Sequence, residues 1–487
     1  MLELNNQYTV MKRRIDAEVL RALFAGNLTQ TVDSIPIKII PREREANRCC
    51  IYKERAMVRY RIMALLGVDI GHDDDECKSL RAYAQEALAV PPVTLPTLTT
   101  ITPGCSGCPD DQYRITESCR GCFARPCAVN CPKDAIVFVN GRAQIVEERC
   151  IACGKCVDVC PFNSVIHIQV PCEAACPVGA ISKNEQGYVE IDQDLCINCG
   201  HCALSCPFGA IAERSSLIHV AQLLQEKEEV IALIAPAIEG QFPGNLSQII
   251  AGLKALGFFD VVEVARGAHV TALHEAQEVQ QRIVEGKGFM TTSCCPAYME
   301  LVDKHVPSLA DRRSSALSPM AYTAQNIIRS RPSAKLVFIG PCIAKKVEAL
   351  PIPSIYAVIT FAELAALFVA RDVDVNQQPS TLLVNTHEFE DCRDFASTGG
   401  VAAAVLRRLE QPVAVLPING IDKKGVRLMR AWEKRPPEAD LVEVMCCEGG
   451  CLSGPGILVH PKLAKRLRQG TNVAKVGAVR GDLKKHA

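Results

Sequence analysis

Residues 150–161 read CIACGKCVDVCP, and residues 196–207 repeat the pattern as CINCGHCALSCP. Both stretches have the spacing Cys-x2-Cys-x2-Cys-x3-Cys-Pro, in which a short loop holds three thiolates around one metal cluster. The fourth cysteine, after which proline ends the loop, is typical of a ligand to a partner cluster. The doubled motif therefore predicts two [4Fe-4S] clusters in a ferredoxin-like arrangement.

The cross-over of the fourth ligand predicts which thiols share a cluster. Zinc is the alternative metal, since four-cysteine zinc sites also use Cys-x2-Cys pairs. The third closely spaced cysteine and the trailing Cys-Pro favour iron and sulfide. The predicted sets are Cys150, Cys153 and Cys156 with Cys206, and Cys196, Cys199 and Cys202 with Cys160.

Eight more cysteines lie in the same segment, which holds sixteen between positions 105 and 206. They are enough for two further clusters, and one cluster with spare thiols is the alternative. Because large apolar side chains are few here, metal-ligand bonds must supply most of the order of the segment. The same cross-over rule gives the sets Cys119, Cys122 and Cys127 with Cys176, and Cys105, Cys108 and Cys172 with Cys131.

The distribution of cysteines and apolar runs divides the chain into three domains. Residues 1–100 carry apolar residues at helical spacing over 10–23 and 56–66, and a proline-rich stretch over 90–103 reads as a linker. Residues 101–212 form the ferredoxin-like domain. Residues 213–487 alternate β-branched runs with helical stretches, which is typical of an α/β domain. Its strands are predicted at 230–234, 261–264, 335–339, 356–360, 413–416 and 441–444.

Composition excludes several classes of protein. With 487 residues and 48% apolar content, the chain buries enough surface for several cores. Lys+Arg and Asp+Glu both total 54, so no net charge attracts nucleic acid. The longest apolar runs are only strand-sized, so no membrane span is expected. The 26 cysteines in metal-binding spacings indicate reduced thiols, and we expect a cytoplasmic protein.

The cysteines of the third domain follow predicted strands. Cys294 and Cys295 come after an apolar stretch, Cys342 follows the strand at 335–339, and the cysteines of 446–451 follow the strand at 441–444. Open α/β sheets place their sites beyond the carboxyl ends of strands. Four thiolates from three distant segments are therefore expected to converge on one more cluster.

Three motifs of this domain resemble the signature motifs of FeFe hydrogenases. They are TSCCPAY at 292–298, PCIAKKVE at 341–348 and EVMCCEGGC at 443–451. The resemblance covers about residues 105 to 460, and it is strongest to the group B branch, in which Tyr298 replaces the tryptophan of the standard first motif. It implies an α/β fold, with a two-lobed catalytic domain behind a ferredoxin-like multi-cluster domain and a small helical N-terminal region.

The resemblance implies an H-cluster, a [4Fe-4S] cubane joined to a di-iron unit with carbonyl, cyanide and azadithiolate ligands. Cys451 would bridge its two halves. Two accessory [4Fe-4S] clusters, and up to four, would feed it with electrons. The cubane ligands implied by the motifs are Cys295, Cys342, Cys447 and Cys451.

The same resemblance assigns roles to neighbouring residues. Cys294 would be the terminal proton carrier, and a thiol is a plausible exchanger when its surroundings tune its pKa. Lys345 would hydrogen-bond a cyanide of the di-iron unit, and Met445 would contact the cluster. The alternative for the carboxylates of the proton relay is that they are ordinary surface residues. The alternative for Met445 is that it is an ordinary core residue. The implied proton-relay residues are Glu275, Ser314, Glu278 and Glu348.

Some positions depart from the standard motifs of the family. Gly340 stands where methionine is usual, Met320 replaces a glutamine-type contact, Cys446 replaces alanine, and 453–456 replaces the glycine-rich ending. These changes lie around the ligand set, where they affect rate, bias and oxygen tolerance rather than binding.

Other cysteines and histidines fit no motif. Buried free thiols are the expectation for four cysteines, and no two of the ten histidines have metal-ligand spacing, so packing or surface positions are expected for them. The cysteines are Cys49, Cys50, Cys77 and Cys392, and the histidines considered are His219, His269 and His274.

The resemblance implies an iron hydrogenase that catalyses 2H⁺ + 2e⁻ ⇌ H₂. Its partners would be ferredoxin or a similar carrier and the maturation proteins that insert the di-iron unit. Two alternatives are a hydrogen sensor and a hydrogenase-derived iron–sulfur assembly factor. The chain has no recognisable signalling domain, which argues against the sensor. An assembly factor that only carries cubanes does not need Cys294, Lys345 or Glu348, which argues against the second alternative.

Overall fold

The N-terminal part of the chain is helical, as predicted. The computed structural model describes residues 6–47, 49–73, 75–91, 95–226, 228–380 and 389–468. The helices expected at 10–23 and 56–66 are the longest two of this region. Its elements are α1 at Gln7–Phe24, α2 at Leu28–Thr31, α3 at Ile35–Ile39, α4 at Ile51–Leu65, α5 at Leu80–Ala89 and β1 at Leu98–Thr100.

The cysteine-rich segment has only short elements, as expected of a chain ordered by metal ligands. Its elements are β2 at Gln112–Ile115, α6 at Pro126–Val129, β3 at Ile136–Val139, β4 at Arg142–Ile145, α7 at Lys155–Asp158, β5 at Val165–Ile168, α8 at Pro171–Ala175, β6 at Ile181–Lys183, β7 at Val189–Ile191, α9 at His201–Ser205 and β8 at Ile211–Glu213. The strands form two-stranded antiparallel ladders, β2 with β5, β3 with β4 and β6 with β7.

The remaining elements form an α/β domain, and each of the six predicted strands is found there. The strand predicted at 413–416 begins two residues later than expected. The elements are α10 at Leu217–Glu226, β9 at Val230–Ile234, α11 at Leu246–Leu256, β10 at Asp260–Glu263, α12 at Ala265–Val284, β11 at Met290–Thr291, α13 at Pro296–His305, α14 at Pro319–Ser330, β12 at Lys335–Gly340, α15 at Ala344–Ala349, β13 at Ile355–Thr360, α16 at Phe361–Ala370, α17 at Glu390–Arg393, α18 at Gly400–Leu406, β14 at Val415–Asn419, α19 at Lys423–Ala431, β15 at Leu441–Met445 and α20 at Pro461–Arg468.

Two parallel sheets form the two lobes of this domain. One has the order β10-β9-β12-β13 and the other β11-β15-β14. The central strand β9 is buried at every residue, as expected when helices cover both faces of a parallel sheet. The cysteines of the domain follow β11, β12 and β15, so both lobes contribute to one site.

The predicted linker is partly a strand. Residues 98–100 form β1, which pairs with β8 at the end of the cysteine-rich segment. The N-terminal helices also share an apolar core with the α/β domain, where Ile15 and Leu20 join Leu364 and Leu367. Helix α1 packs on α16. The helical region is therefore packed against the α/β domain rather than joined to it only by a linker.

A buried ion network reinforces this contact. Lys12 Nζ of α1 lies 2.6 Å from Glu213 Oε1, and Lys346 Nζ lies 3.4 Å from both Glu213 and Glu363. Burial opposes ionisation of Glu213, but the two lysines outweigh it and lower the pKa of Glu213 to about 2. The network links α1, β8, α15 and α16.

Glu213→Gln is expected to destabilise the protein by about 3–5 kcal/mol, because it leaves two lysines beside a neutral side chain. Since the folded pKa lies below the usual 4.5, this stabilisation is present above pH 4.5 and is lost as the pH falls towards 2. Urea unfolding at several pH values measures it. Glu117→Gln, in an exposed pair with Arg142, is the matched control. Equal stability of the two variants would contradict the prediction.

Within the described ranges, no helix combines the length and apolarity that a membrane crossing requires.

Candidate active site and cluster sites

Four thiols converge between the two parallel sheets. Cys295 caps the N-terminus of α13, just after β11, and Cys342 follows β12 directly. Cys447 and Cys451 lie in the turn and short 3₁₀ segment that follow β15. Strand order thus brings together cysteines that are up to 156 positions apart in the sequence.

The four thiols affect one another's ionisation. Burial first, then the adjacent Cys295 and Cys451 thiolates, raise the pKa of Cys342 to about 12. Burial, Cys342, Cys295 and Cys451 raise the pKa of Cys447 well above its usual value. Four thiols that oppose one another's ionisation become thiolates only when a cation binds them. Their number and sulfur chemistry fit the cubane half of an H-cluster.

The sixteen cysteines of residues 105–206 gather in four groups of four, in pairings that correct the predicted ones. Cys131 lines a cavity with the thiols of the 150–156 loop, and Cys206 lines another with the thiols of 105, 108 and 172. Besides burial, the thiolates of Cys196, Cys199 and Cys176 raise the pKa of Cys202. Besides burial, the thiolates of Cys160 and Cys122 raise the pKa of Cys127. The groups are Cys105, Cys108, Cys172 and Cys206; Cys176, Cys196, Cys199 and Cys202; Cys131, Cys150, Cys153 and Cys156; and Cys119, Cys122, Cys127 and Cys160.

The predicted fourth ligands are wrong because the cross-over occurs within two local modules. The loops at 119–131 and 150–160 exchange their last cysteines, and the split motif at 105–108 and 172–176 exchanges with 196–206. The prediction exchanged ligands between the two modules. The cross-over rule itself is obeyed in both.

The four Cys-Pro loops have one geometry. In each, the cysteine sulfur accepts the backbone N–H of the residue four positions later, as Cys176 accepts from Ala180 at 3.2 Å. The residue before each donor has a left-handed backbone. N–H···S bonds of this kind raise the reduction potential of a cluster. The equivalent bonds are Ala135 to Cys131, Ser164 to Cys160 and Ala210 to Cys206.

A double-variant test separates the two pairings. Cys131→Ala is expected to remove one cluster, about four irons per chain. Cys131→Ala combined with Cys150→Ala should remove no more iron, because both thiols belong to one group. Cys131→Ala combined with Cys105→Ala should remove two clusters, because these two thiols belong to different groups. The iron content of each variant is measured, with Cys77→Ala as the control. Loss of two clusters with Cys150→Ala, and of only one with Cys105→Ala, would support the pairing predicted from sequence instead.

Cys294 lies beside the converging thiols and next to a buried carboxyl group. Burial raises the pKa of Cys294 well above its usual value, and ionisation of Glu275 raises it further. Glu275 accepts the Ser293 N–H at 3.1 Å, and its Oε2 has no hydrogen-bond partner among the described residues. Burial raises the pKa of Glu275 to about 8, so this carboxyl group holds a proton at neutral pH. Glu275 is fully buried, so the alternative that it is a surface carboxylate is wrong.

Ser314 and Glu278 continue from this pair towards the surface. Ser314 Oγ donates to Glu278 Oε2 at 2.8 Å, and Ser315 N–H donates to the same oxygen at 2.9 Å. Glu278 is one helical turn from Glu275 on α12 and is half-buried, whereas Ser315 is exposed. Three of the four predicted relay residues therefore lie together.

Glu348 makes different contacts. It pairs with Lys345 at 2.5 Å and accepts the hydroxyl of Ser318. Lys345 also lies 3.4 Å from the carbonyl oxygen of Cys294. Burial and the neighbouring thiolates raise the pKa of Cys342, and the charge of Lys345 opposes only part of this rise. Burial opposes the charge of Lys345, but Glu348 raises its pKa and keeps it an ammonium. These contacts give Glu348 the position of a partner that orients Lys345.

The departures from the family motifs have local reasons. Tyr298 is buried, and its hydroxyl donates to Thr291 Oγ1 at 2.8 Å. A Cβ atom at Gly340 would lie 2.5 Å from Phe338, so a methionine there needs a different packing. Met320 is fully buried in the core, and Met445 packs in a cluster with Cys294.

The cysteines outside the motifs are only partly as predicted. Cys392 is buried, but Cys49 and Cys77 are exposed and Cys50 is half-buried at the N-terminus of α4, since they lie on short polar loops. The three histidines make ordinary contacts, with the Ala87 carbonyl, Arg408 and Tyr322. They are His219, His269 and His274.

Sequence reasoning missed His201 and the position of Cys446. The thiols of Cys199 and Cys446 and a ring nitrogen of His201 all lie within 4.8 Å of one another. His201 Nε2 is also 3.5 Å from Cys447 Sγ. A histidine inside an accessory motif was the available signal, but the distant cysteines it meets were not predictable from spacing.

Comparisons with known proteins agree with this geometry. Residues 228–455 match the family model described as "Iron only hydrogenase large subunit, C-terminal domain", and residues 143–166 and 188–211 match 4Fe-4S binding domains. Iron hydrogenase 1 of Clostridium pasteurianum is 29% identical over 394 residues, which is 67% of each chain. The NADP-reducing hydrogenase subunit HndD of Solidesulfovibrio fructosivorans is 27% identical over 332 residues, 54% of this chain and 56% of that one.

A solved structure of apo [FeFe]-hydrogenase HydA1 from Chlamydomonas reinhardtii aligns with a TM-score of 0.41 and 21% identity, over 52% of this chain and 89% of that one. The chain spans about two thirds of the Clostridium enzyme and about half of HndD.

The two parallel sheets, the converging thiols and the cysteine-rich segment define an iron–sulfur oxidoreductase with several 4Fe-4S sites. Residues 228–455, which contain the motifs that supply the four central cysteines, form a domain of the iron-only hydrogenase large-subunit type.

Proposed function

We propose that the chain catalyses 2H⁺ + 2e⁻ ⇌ H₂ at an H-cluster held by Cys295, Cys342, Cys447 and Cys451. The observation that carries the proposal is a proton-holding pair beside four convergent thiols. Cys294 adjoins the ligand Cys295, and the buried Glu275 keeps a proton next to it. A cubane carrier needs the thiols but has no use for this pair.

The bound H-cluster supplies the redox chemistry, and the chain supplies binding, charge and protons. Lys345 is a buried ammonium beside the central thiols, which suits it to a negatively charged ligand such as cyanide. Glu348 holds that ammonium in place. Met445 packs beside Cys294 and excludes water from it.

Protons reach the site through side chains of α12 and the segment after α13. Glu278 is hydrogen-bonded to the hydroxyls of Ser314 and Ser315 and takes up protons near the surface. Glu275, one helical turn away, passes a proton to the neighbouring Cys294. The carboxyl group of Glu275 is suited to this transfer because its pKa of about 8 is close to the working pH.

Each of the four groups of four cysteines would hold one accessory [4Fe-4S] cluster, and these clusters would supply electron transfer to the central site. Ferredoxin or a similar carrier is the proposed donor, and maturation proteins insert the di-iron unit. Tyr298 and Cys446 favour assignment to the group B branch. A cytoplasmic location is consistent with twenty-six reduced cysteines.

The test is anaerobic protein matured with the di-iron cofactor, assayed for hydrogen evolution driven by reduced viologen and for infrared bands of iron-bound CO and CN. Bands with turnover support the proposal. Bands without turnover indicate a hydrogen sensor. Iron–sulfur absorption with neither bands nor turnover indicates an assembly factor, and either result overturns the proposed activity.

A further inference from the structure

The contact between the nearest accessory group and the central thiols contains two side chains that bind no cluster in the proposed scheme. Cys199 belongs to the accessory group of Cys176, Cys196 and Cys202, whereas Cys447 belongs to the central set. His201 and Cys446 lie between them.

The two loops are packed tightly at this point. Gly200 has a left-handed backbone with φ of 77°, and a Cβ atom there would lie 2.7 Å from Ile343 and 3.0 Å from Pro455. Ile343 follows the central ligand Cys342, so the accessory loop rests directly on a ligand loop of the central site. Only glycine permits this approach.

His201 contacts both sets of ligands. Its Nε2 lies 3.5 Å from the sulfur of Cys447, and its ring also lies within 4.8 Å of the sulfurs of Cys199 and Cys446. A neutral imidazole has one N–H to donate, and a thiolate ligand accepts such a bond. The ring is therefore positioned to donate to one cluster ligand while it packs against another.

Cys446 has no route to solvent, since only 2% of its surface is exposed. Its sulfur lies within 4.8 Å of the sulfur of Cys199. Cys199 is a thiolate when it binds a cluster and can only accept a hydrogen bond, so the Cys446 S–H is the donor that faces it. Alanine, the residue usual at this position in the family, has no S–H to donate.

We propose that Cys446 and His201 form a bridge between the two clusters, in which Cys446 donates a hydrogen bond to Cys199 and His201 donates one to Cys447, so that each residue raises the reduction potential of the cluster whose ligand it contacts. Hydrogen bonds to ligand sulfurs stabilise the reduced, more negative state of a cluster. The bridge donates to Cys199 on one side and to Cys447 on the other. Both residues are positioning residues, and the proposal rests on the proposed clusters but not on hydrogen turnover.

The test is a potentiometric EPR titration of full-length protein that carries its [4Fe-4S] clusters without the di-iron unit. Cys446→Ala is expected to lower the midpoint potential of the accessory cluster held by Cys199, and His201→Ala that of the central cubane held by Cys447. A tenfold loss of the reduced form at fixed potential corresponds to about 59 mV for a one-electron couple. His201→Gln keeps an N–H donor and is expected to recover most of the shift. His167→Ala, beside Tyr113 in the distant module, is the matched control.

Iron content is measured on every variant. Unchanged potentials in both Cys446→Ala and His201→Ala overturn the bridge. Loss of about four irons from either variant also overturns it, because the residue is then a cluster ligand rather than a donor to one. Lowered potentials in protein that shows no hydrogen evolution after maturation support the bridge and contradict only the proposed activity.

Discussion

Cys294→Ser is expected to reduce hydrogen evolution by about 10²–10⁴-fold, because a serine hydroxyl does not exchange protons near neutral pH as a thiol does. Cys294 adjoins the ligand Cys295 but lies outside the proposed ligand set, so the cofactor should bind normally. Reduced-viologen assays measure the loss, and infrared bands of CO and CN report whether the H-cluster is present.

Cys77→Ser, at an exposed cysteine, is the control and should keep parent activity. Full activity in Cys294→Ser, with intact infrared bands, would remove Cys294 from the proton route. Loss of the bands would instead give Cys294 a role in holding the cofactor, which also contradicts the prediction.

Glu275→Gln is expected to reduce hydrogen evolution by about 10²-fold or more, because glutamine accepts the Ser293 N–H but carries no transferable proton. In the parent protein, burial raises the pKa of Glu275 to about 8, so the carboxyl group loses its proton as the pH rises through 8. Hydrogen evolution by the parent should therefore fall above pH 8. The residual activity of the variant should lack this step.

Stability gives a second measurement on the same residue. The folded pKa of Glu275 lies above its usual 4.5, so its contribution to stability is complete below pH 4.5 and is lost as the pH rises through about 8. Glu275→Gln should flatten the dependence of unfolding free energy on pH over this range. Glu300→Gln, on the surface pair with Lys304, should leave both profiles unchanged. A variant profile that still titrates near pH 8 would assign the step to another group.

The two predictions test two successive steps of the proposed proton route. Cys294 acts next to the cluster, so its replacement should affect proton transfer at every pH. Glu275 acts one step away, so its effect depends on its own ionisation. The double variant should lose little more than Cys294→Ser, because both changes interrupt the same path.

Much of the site was predictable from local sequence. The Cys-x2-Cys-x2-Cys loops specify cluster ligands because three sulfurs on a short loop face one cluster whatever surrounds them. The strands were found because parallel strands are continuous apolar runs, and the ligands after them share the carboxyl edge of the sheets. Cys294 and Lys345 were located by their fixed offsets from Cys295 and Cys342 in the motifs.

By itself, the sequence determined which cysteines have metal-binding spacing and where the strands lie along the chain, because these depend on patterns of a few residues. Only the tertiary structure decided which loop supplies each fourth ligand and that His201 meets Cys446, which is 245 positions away. The partners in these contacts are selected by the packing of loops rather than by any local pattern.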